Sequence, residues 1–317
     1  MNKKVVVFGG GTGMSVLLKG LKDFPVDITA VITVSDNGRS TGKLRKEFNI
    51  PAVGDIRKVI TNLSSIDEDI KDLMSYRFKT SSDLNGHAIG NLMLTGLLDI
   101  TGSLKNSIKS LCKLLDVKHT ILPISEDPDL TLIAEDSLGH KVEGEAEITD
   151  STLNIDKIYY KNEPNVSKDV INAIKSADLV IFSMGSVYTS ILPNIICEQV
   201  LNAIDDANVD LLYTCNAVTQ PGETDDFTVS KHIKLINSYL NKKKLDVVIA
   251  SNTKINEDIA KKYETQEQKN PVLIDYDNIK NENIELIEDD LIIVEDNQLR
   301  HDSLKLAYLI FSYLMRK

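Results

Sequence analysis

The sequence predicts an α/β fold with a doubly wound, mostly parallel sheet, and three patterns in the 317-residue chain support this prediction. Short runs of β-branched and aliphatic residues alternate with amphipathic helical patterns near both ends of the chain. A glycine-rich segment follows the first run and leads into a helical pattern, as in Rossmann-like sheets. Between the two halves, a stretch of alternating apolar and polar residues indicates an inserted β-hairpin subregion.

The predicted strands of the sheet are short and almost entirely apolar, which is typical of parallel strands that are covered by helices on both faces. They are KVVVFG (4–9), ITAVITV (28–34), DLVIFSM (178–184), DLLYTCN (210–216), DVVIASN (246–252) and DLIIVED (290–296). Amphipathic patterns predict helices at residues 88–99, 103–115, 189–206 and 228–241.

The inserted subregion is predicted from residues 131–149, TLIAEDSLGHKVEGEAEIT. Apolar and polar side chains alternate there on both sides of a turn at Leu138-Gly139-His140, which indicates a hairpin exposed on one face. We expect one α/β domain over residues 1–317, with a β-rich insertion at about residues 117–163.

The composition narrows the classes of protein to which the chain can belong. Lys and Arg number 36 and Asp and Glu 47, so the net charge of −11 argues against general binding of nucleic acid or a membrane surface. The three cysteines form no C-x-x-C pair, which fits buried thiols in a reducing cytoplasm and argues against zinc or disulfides. No apolar run is long enough for a membrane span, and the first run ends at Gly9, too early for a signal peptide.

A phosphate cradle is predicted at GGGTGMS (9–15), directly after the first strand. Glycines let the backbone approach a phosphate, and the N-terminus of the next helix directs N–H groups and a positive dipole end at the anion. Met14 replaces the third glycine of the dinucleotide pattern, which favours a mononucleotide or nucleotide-diphosphate ligand. The alternative is a tight strand-to-helix turn without a ligand. The candidate residues are Gly10, Gly11, Thr12 and Gly13.

The loop after the second strand, VSDNGRSTGKLR (34–45), resembles a P-loop, but Asn37 and Leu44 replace the glycine and the hydroxyl that a P-loop needs. Asp36 lies 23 positions after Gly13, near the spacing of the acidic residue that binds a ribose hydroxyl, and a cation is the other ligand that it suits. Arginine can pair with phosphate, whereas Ser40 and Thr41 suit either helix capping or ligand contact. The candidates in this loop are Asp36, Asn37, Arg39 and Ser40.

Four more polar segments are expected at the same edge of the sheet. GDIRK (54–58) contains Asp55 and Arg57, and NGHAIGN (85–91) contains a histidine that suits a helix cap, a packed ring or a ligand contact. MGSVYTS (184–190) and CNAVTQPGETDD (215–226) each follow a predicted strand. The candidate ligand-binding residues of these segments are His87, Asn91, Gly185, Ser186, Thr189, Asn216 and Gln220.

These segments together resemble the bacterial YvcK family, called gluconeogenesis factors, which is similar to the CofD phospholactate transferases. The resemblance rests on FGGGTGMSVLLKGLK, VSDNGRSTGKLR, GDIRK, HAIGNL, GSVYTSILPN, CNAVTQPGET and LRHDSLKLA, in this order. It implies a cytoplasmic protein that binds a UDP-sugar such as UDP-N-acetylglucosamine and acts in cell shape and growth on gluconeogenic carbon sources. It also implies Tyr263 and Arg300 as sugar-nucleotide contacts, through ring stacking and pairing with a diphosphate.

The CofD branch supplies the alternative function, a metal-assisted phosphoryl or nucleotidyl transferase. There the corresponding glycine loop and acidic loop serve a guanine nucleotide, but a Ser-Asn-Pro element stands where this chain reads Gly185-Ser186-Val187-Tyr188, which disfavours that chemistry. Mg²⁺, held by Asp36 and Asp55, belongs only to this alternative, and no other cofactor is predicted. A homo-oligomer is compatible with the sequence, whereas nucleic acid and membrane insertion are not expected.

Overall fold

The computed structural model describes residues 2–295 and 298–316, and its strands form three sheets. The strands are β1 (Lys3–Gly9), β2 (Val26–Ile32), β3 (Thr120–Pro123), β4 (Leu132–Glu135), β5 (Lys141–Glu143), β6 (Lys157–Tyr160), β7 (Leu179–Phe182), β8 (Asp210–Thr214), β9 (Val247–Ser251), β10 (Glu285–Asp289), β11 (Ile292–Glu295) and β12 (Gln298–His301).

Helices surround the sheets and are mostly one to three turns long. They are α1 (Gly11–Leu21), α2 (Arg39–Phe48), α3 (Gly54–Leu63), α4 (Glu68–Ser75), α5 (Ile89–Thr101), α6 (Leu104–Leu114), α7 (Glu145–Thr149), α8 (Lys168–Lys175), α9 (Leu192–Ile195), α10 (Glu198–Asp206), α11 (Val229–Tyr239), α12 (Glu257–Lys262), α13 (Tyr276–Ile279) and α14 (Ser303–Met315). One turn of π-helix precedes α9, and another follows α12.

The main sheet has seven parallel strands in the order β10-β9-β8-β7-β1-β2-β3, which confirms the predicted α/β class. Five of its strands were predicted, and their side chains form the centre of the hydrophobic core. The two edge strands, β3 and β10, were not predicted. β3 is only four residues long and ends in a proline, and β10 carries three carboxylates, so neither reads as an apolar run.

The sixth predicted strand, residues 290–296, does not join the main sheet. Its described part forms β11, which pairs with β12 in an antiparallel two-stranded sheet, and Asp296 lies outside the described residues. The β12 strand carries Arg300 and leads into α14, whose first turn is capped by the Asp302 carboxylate.

The predicted hairpin is present, with β4 and β5 antiparallel around the predicted turn. The other edge of β4 pairs with β6, which completes a three-stranded sheet. Residues 145–149 were expected to continue the alternating pattern, but they form α7. The side chain of Asn37 explains the difference, because its Oδ1 accepts a hydrogen bond from the Ala146 amide (2.9 Å) and satisfies an N–H at the start of this helix.

Three of the helical predictions correspond to α5, α6 and α11. The fourth, residues 189–206, is not continuous: it divides into the π-helical turn, α9 and α10. Pro193 lies in the first turn of α9, where a missing N–H leaves no helical hydrogen bond unmade. Helix α1, which follows the glycine-rich turn, packs against α3 and α14.

Two further expectations concern cysteines and membrane spans. Cys112, Cys197 and Cys215 are free and buried, as predicted. In the described ranges 2–295 and 298–316, none of the helices has the length and apolar character that crossing a bilayer requires.

Candidate functional site

A cavity of about 660 Å³ lies where the loops after β1, β2, β7 and β8 meet, at the carboxyl ends of these strands. We call this cavity the rim cleft. Among the described residues, four carboxyl groups and four cationic side chains line it, so acidic and basic groups are equal in number. Its lining residues are Gly11, Thr12, Asp36, Gly38, Arg39, Ser40, Thr41, Gly54, Asp55, Arg57, Lys58, Arg77, Asn91, Glu145, Ala146, Thr149, Asp150, Thr189, Ser190 and Gln220.

The glycine-rich turn brings the N-terminus of α1 to the rim cleft. Gly11 has a φ of 61°, which favours glycine, and the N-cap residue Gly10 has no side chain that could cap the first N–H groups of the helix. A Cβ atom on Gly13 would lie 2.1 Å from the carbonyl oxygen of Met184. Gly13 therefore serves the close packing of α1 against the loop after β7, while Gly11 and Thr12 face the cavity.

Asp55, in the first turn of α3, lies beside the same turn. A Cβ atom on Gly11 would be 3.4 Å from its Oδ2, and Lys58 Nζ lies 2.9 Å from its Oδ1. Its negative charge opposes a phosphate at this position. A bound anion here therefore needs nearby cations, and the cleft offers Lys58, Arg57 and Arg39.

The carboxylate of Asp36 lies in the rim cleft at the end of β2. Its Oδ1 accepts a hydrogen bond from the Gly38 amide (2.8 Å). Burial raises the pKa of Asp36, the Gly38 hydrogen bond opposes this effect, and the charge of Asp55 adds to it. A carboxyl group whose ionisation is disfavoured by a neighbouring carboxylate suits a hydroxyl group or a cation beside it.

The next residues of this loop point in different directions. Asn37 bonds to α7, through Ala146 and through its Nδ2, which donates to Glu147 Oε2 (2.6 Å). Arg39 begins α2 with a φ of 44°, which is uncommon for a residue other than glycine, and its exposed side chain lines the rim cleft. The loop thus anchors α7 with one side chain and presents a cation with another.

Glu145, at the start of α7, is a cleft residue that the sequence did not indicate. Ser35 Oγ donates to its Oε2 at 3.3 Å. Burial, followed by the charges of Asp36 and Asp55, raises the pKa of Glu145 well above its ordinary value. It belongs to the segment predicted as a hairpin, and no local pattern distinguishes it from the acidic residues around it.

A chain of buried polar side chains lies beneath the cleft. Ser40 Oγ is 3.0 Å from His87 Nδ1 and accepts from Asn91 Nδ2 (3.3 Å). Arg57 Nε donates to Asn91 Oδ1 (3.4 Å). Ser40, Asn91 and Arg57 line the cleft, whereas His87 is 6% exposed and lies behind Ser40, where it orients that hydroxyl.

A hydrogen-bonded pair links the loops after β7 and β8. The Gly185 amide donates to Asn216 Oδ1 (2.9 Å), and Asn216 Nδ2 donates to the Gly185 carbonyl oxygen (2.8 Å). Neither residue lines the rim cleft. Their interaction fixes the two loops to each other.

Glu223 organises the polar side chains beside this link. Its Oε2 accepts from Ser186 Oγ and its Oε1 from Gln220 Nε2 (2.8 Å), and Thr189 Oγ1 donates to Ser186 Oγ (2.6 Å). Thr189 and Gln220 reach the rim cleft. Burial raises the pKa of Glu223 to about 7, against the opposing hydrogen bond from Ser186.

A second cavity, of about 370 Å³, adjoins the rim cleft and shares Thr12, Arg57 and Lys58 with it. We call it the basic cavity, because four cations and one carboxylate are found among its described lining residues. The cations are Lys19, Arg57, Lys58 and Arg300, and the carboxylate is Glu295.

Arg300 and Tyr263 are connected through β12. Arg300 Nη2 donates to Gln298 Oε1 (2.9 Å), and its Nε is 4.0 Å from Glu295, so its charge is only weakly paired. Tyr263 is 5% exposed, and its hydroxyl accepts from the Leu299 amide (2.6 Å). Tyr263 lines neither cavity, and its contact supports the strand that presents Arg300.

The structure thus divides the predicted residues into three groups. Side chains or backbone of the first group line the rim cleft, Arg300 lines the basic cavity, and the last group packs behind them. The first group is Gly11, Thr12, Asp36, Arg39, Ser40, Asn91, Thr189 and Gln220; the last is Gly10, Gly13, Asn37, His87, Gly185, Ser186, Asn216 and Tyr263. Within residues 2–295 and 298–316, no group of three or more His, Cys, Asp or Glu side chains is arranged to hold a metal ion.

Comparison with known proteins gives consistent matches over nearly the whole chain. The family described as 2-phospho-L-lactate transferase CofD matches residues 5–292. The gluconeogenesis factor of Bacillus subtilis (strain 168) is 38% identical over 312 residues, 98% of each chain, and a putative gluconeogenesis factor of Thermotoga maritima is 40% identical over 313 residues, 97% of this chain and 98% of that one. A crystal structure of a UPF0052-family protein from Bacillus halodurans superposes with a TM-score of 0.94 at 36% identity, covering 98% of this chain and 99% of the other.

Proposed function

The chain belongs to the CofD family, and from this premise we propose that it is a cytoplasmic regulator that binds a UDP-sugar and acts in cell shape and in growth on gluconeogenic carbon sources. Its relatives that are named gluconeogenesis factors support the part that concerns gluconeogenic growth, whereas the role in cell shape is what the family resemblance implies. The UDP-sugar is what the family resemblance implies, and the geometry of the site supports a ligand of this class.

One observation carries the choice of ligand: a cleft with equal numbers of acidic and basic groups and a net positive cavity meet at Thr12, Arg57 and Lys58. A nucleotide sugar has the matching distribution, with a diphosphate between two neutral, hydroxyl-rich ends. The diphosphate contacts the N-terminus of α1 and the shared cations. The carboxylates Asp36 and Glu145 accept hydrogen bonds from ribose or sugar hydroxyls in the rim cleft.

Arg300 extends the binding surface into the basic cavity. Its weak ion pair leaves guanidinium donors for a phosphate, and it lies on the same cavity as Thr12 of α1. Tyr263 acts on the ligand through β12, by fixing the strand that carries Arg300. The volumes of about 660 and 370 Å³ fall within the range that small-molecule sites occupy, roughly 300–1,000 Å³.

A thermal-shift panel tests this function. We expect UDP-N-acetylglucosamine and UDP-glucose to raise the melting temperature more than NAD does, because a ligand that binds only the folded state stabilises it by mass action. In Gly11→Val, a branched side chain at a left-handed φ beside Asp55 should remove the response to UDP-sugars. Gly96→Ala, in open space on α5, serves as the control. Equal or greater stabilisation by NAD would contradict the proposal.

The alternative is a metal-assisted transferase, and the family description together with the pair Asp36 and Asp55 favours it. Mg²⁺ is commonly bound by one or two carboxylates together with substrate phosphates, so these two residues would hold it beside the shared cations. The ion would neutralise phosphate charge there. Turnover of UDP-sugar or GTP that depends on Mg²⁺ and is lost in Asp55→Asn would establish this alternative, whereas binding without turnover supports the regulator.

A further inference from the structure

A separate groove of about 730 Å³ runs along β3, the edge strand of the main sheet. Helix α6 forms one wall and α8 the other, so we call it the edge groove. It shares no lining residue with the rim cleft or the basic cavity. An ion pair between Lys105 of α6 and Asp169 of α8 joins the two walls.

The floor of the edge groove offers backbone hydrogen-bonding groups. The Ile124 amide donates to the Ile32 carbonyl oxygen of β2 (2.9 Å), so the backbone groups of Ile124 face β2. The direction of these groups alternates from one residue to the next along a strand. The N–H and C=O groups of His119 and Ile121 therefore point away from β2, towards the groove. The backbone amides of His119 and Ile121 donate no hydrogen bond to a loop or helix of the described residues. An added strand would find these groups ready to pair.

The wall formed by α6 carries positive charge. Lys105, Lys109 and Lys113 follow each other at intervals of four residues, which places them on one face of the helix, and all three line the groove. Lys105 is paired with Asp169, but Lys109 and Lys113 make no ion pair with any described residue. The chain as a whole has a net charge of −11, so this basic face is a local exception.

Apolar side chains accompany the lysines. The edge groove is also lined by four apolar or weakly polar side chains, which are Ile108 and Cys112 of α6, Leu122 of β3 and Ala173 of α8. A ligand therefore meets backbone groups on the floor, apolar contacts on both walls and lysines on one side. An extended polypeptide with acidic side chains on one face matches all three features.

We propose that the edge groove binds an acidic, extended segment of a partner protein, which adds to the sheet as a strand beside β3. Main-chain hydrogen bonds to His119 and Ile121 provide affinity, and pairing of acidic side chains with Lys109 and Lys113 provides specificity. Edge-to-edge pairing with the same groove of a second copy is disfavoured, because the two lysine-bearing edges repel each other. This site is independent of the proposed nucleotide-sugar function.

The test uses the full chain and three capped hexapeptides. The first alternates glutamate and valine, the second alternates lysine and valine, and the third is the glutamate-valine peptide with its amide nitrogens methylated. Only the first should bind in fluorescence anisotropy, because the second has the wrong charge and the third cannot donate to the edge of β3. Raising the salt concentration should weaken its binding, since the lysines are exposed.

Variants locate the interaction. Lys109→Glu combined with Lys113→Glu should lower the affinity of the glutamate-valine peptide at least about tenfold, whereas the distant exposed pair Lys46→Glu and Lys254→Glu should not. Absence of binding, equal binding of the methylated peptide or equal loss in both double variants overturns the proposal. A fatty acid that fills the groove without displacing the peptide also overturns the proposal, because the peptide then binds elsewhere. The proposal is likewise overturned if light scattering shows a dimer that the double variant Lys109→Glu with Lys113→Glu disrupts.

Discussion

Replacing Glu223 by glutamine should remove the contribution of this residue to the dependence of folding stability on pH. The folded-state pKa of Glu223 is about 7, against an ordinary value of 4.5, because the carboxyl group is buried. Between these values the folded protein binds the proton more tightly than the unfolded chain does. The contribution of Glu223 to the free energy of unfolding is therefore fully present below pH 4.5 and is lost as the pH rises through 7.

The magnitude follows from the same two pKa values. At about 1.36 kcal/mol for each pKa unit, the difference between 4.5 and about 7 corresponds to about 3 kcal/mol when the group is fully ionised. Glutamine keeps the shape of the side chain, can still accept from Gln220 and can donate to the Ser186 hydroxyl, which then donates to Thr189 Oγ1 in place of accepting from it. Glu223→Gln should thus be more stable than the parent protein at pH 8, by about 2–3 kcal/mol, and nearly equal to it at pH 5.

Urea denaturation of both proteins between pH 5 and pH 8 measures this difference. Asp36 and Glu145, whose pKa values are also raised by burial, titrate in both proteins, so their contributions cancel when the curves are subtracted. The exposed Glu47→Gln is the control and should follow the parent. A constant difference between Glu223→Gln and the parent at every pH would refute the reasoning, because it would show that Glu223 does not change its ionisation on folding.

Three other predictions concern the site. Arg300→Ala should lower the affinity for UDP-N-acetylglucosamine in calorimetric titration at least about tenfold, about 1.4 kcal/mol, with little change in the melting temperature of the ligand-free protein. The control Arg316→Ala should leave this affinity unchanged. A large fall in the stability of the ligand-free Arg300→Ala protein would show that Arg300 has a structural role. Asp36→Ala should lower the affinity for UDP-N-acetylglucosamine without changing the melting temperature measured by circular dichroism. Unchanged affinity would show that Asp36 only stabilises the turn. Gly13→Ala should destabilise the protein by about 2 kcal/mol in urea denaturation, since the added Cβ atom meets the carbonyl oxygen of Met184. The control Gly96→Ala should stabilise the protein by about 0.5–1 kcal/mol, because nothing lies close to its Cβ atom. Equal effects of the two substitutions would contradict the packing role of Gly13.

The central strands were predictable because their residues carry the signal locally. β1, β2, β7, β8 and β9 are nearly continuous apolar runs, as strands between two helical layers must be. The edge strands β3 and β10 carry no such run, since an edge has fewer apolar neighbours and tolerates proline and carboxylates. Residues 290–296 were wrongly predicted for a related reason: their apolar run fits a central strand, but an apolar run does not specify its pairing partner. The described part of this segment pairs with β12.

Parts of the site were readable in the same way. The glycine turn and the acidic loop have spacings that report the backbone they form, so Gly11, Thr12 and Asp36 could be placed at the cleft before the structure was known. Arg300 and Tyr263 came from family resemblance, and the binding roles of all these residues stay predictions. Glu145 could not be found, because it reaches the cleft through contacts between Asn37 and α7 that are more than 100 residues apart in the chain.

The sequence by itself determined the α/β class, the glycine-rich turn before α1 and the order of polar loops, since these depend on hydrophobic periodicity and on residues close together in the chain. Only the tertiary structure decided the strand order, which joins β7 to β1 and brings the loops of both halves to one cleft. It also decided the raised pKa values of Glu223 and Glu145, because burial raises the pKa of a carboxyl group only when distant segments remove its water. Long-range packing, which no local pattern encodes, assembled the two adjoining cavities around Thr12, Arg57 and Lys58.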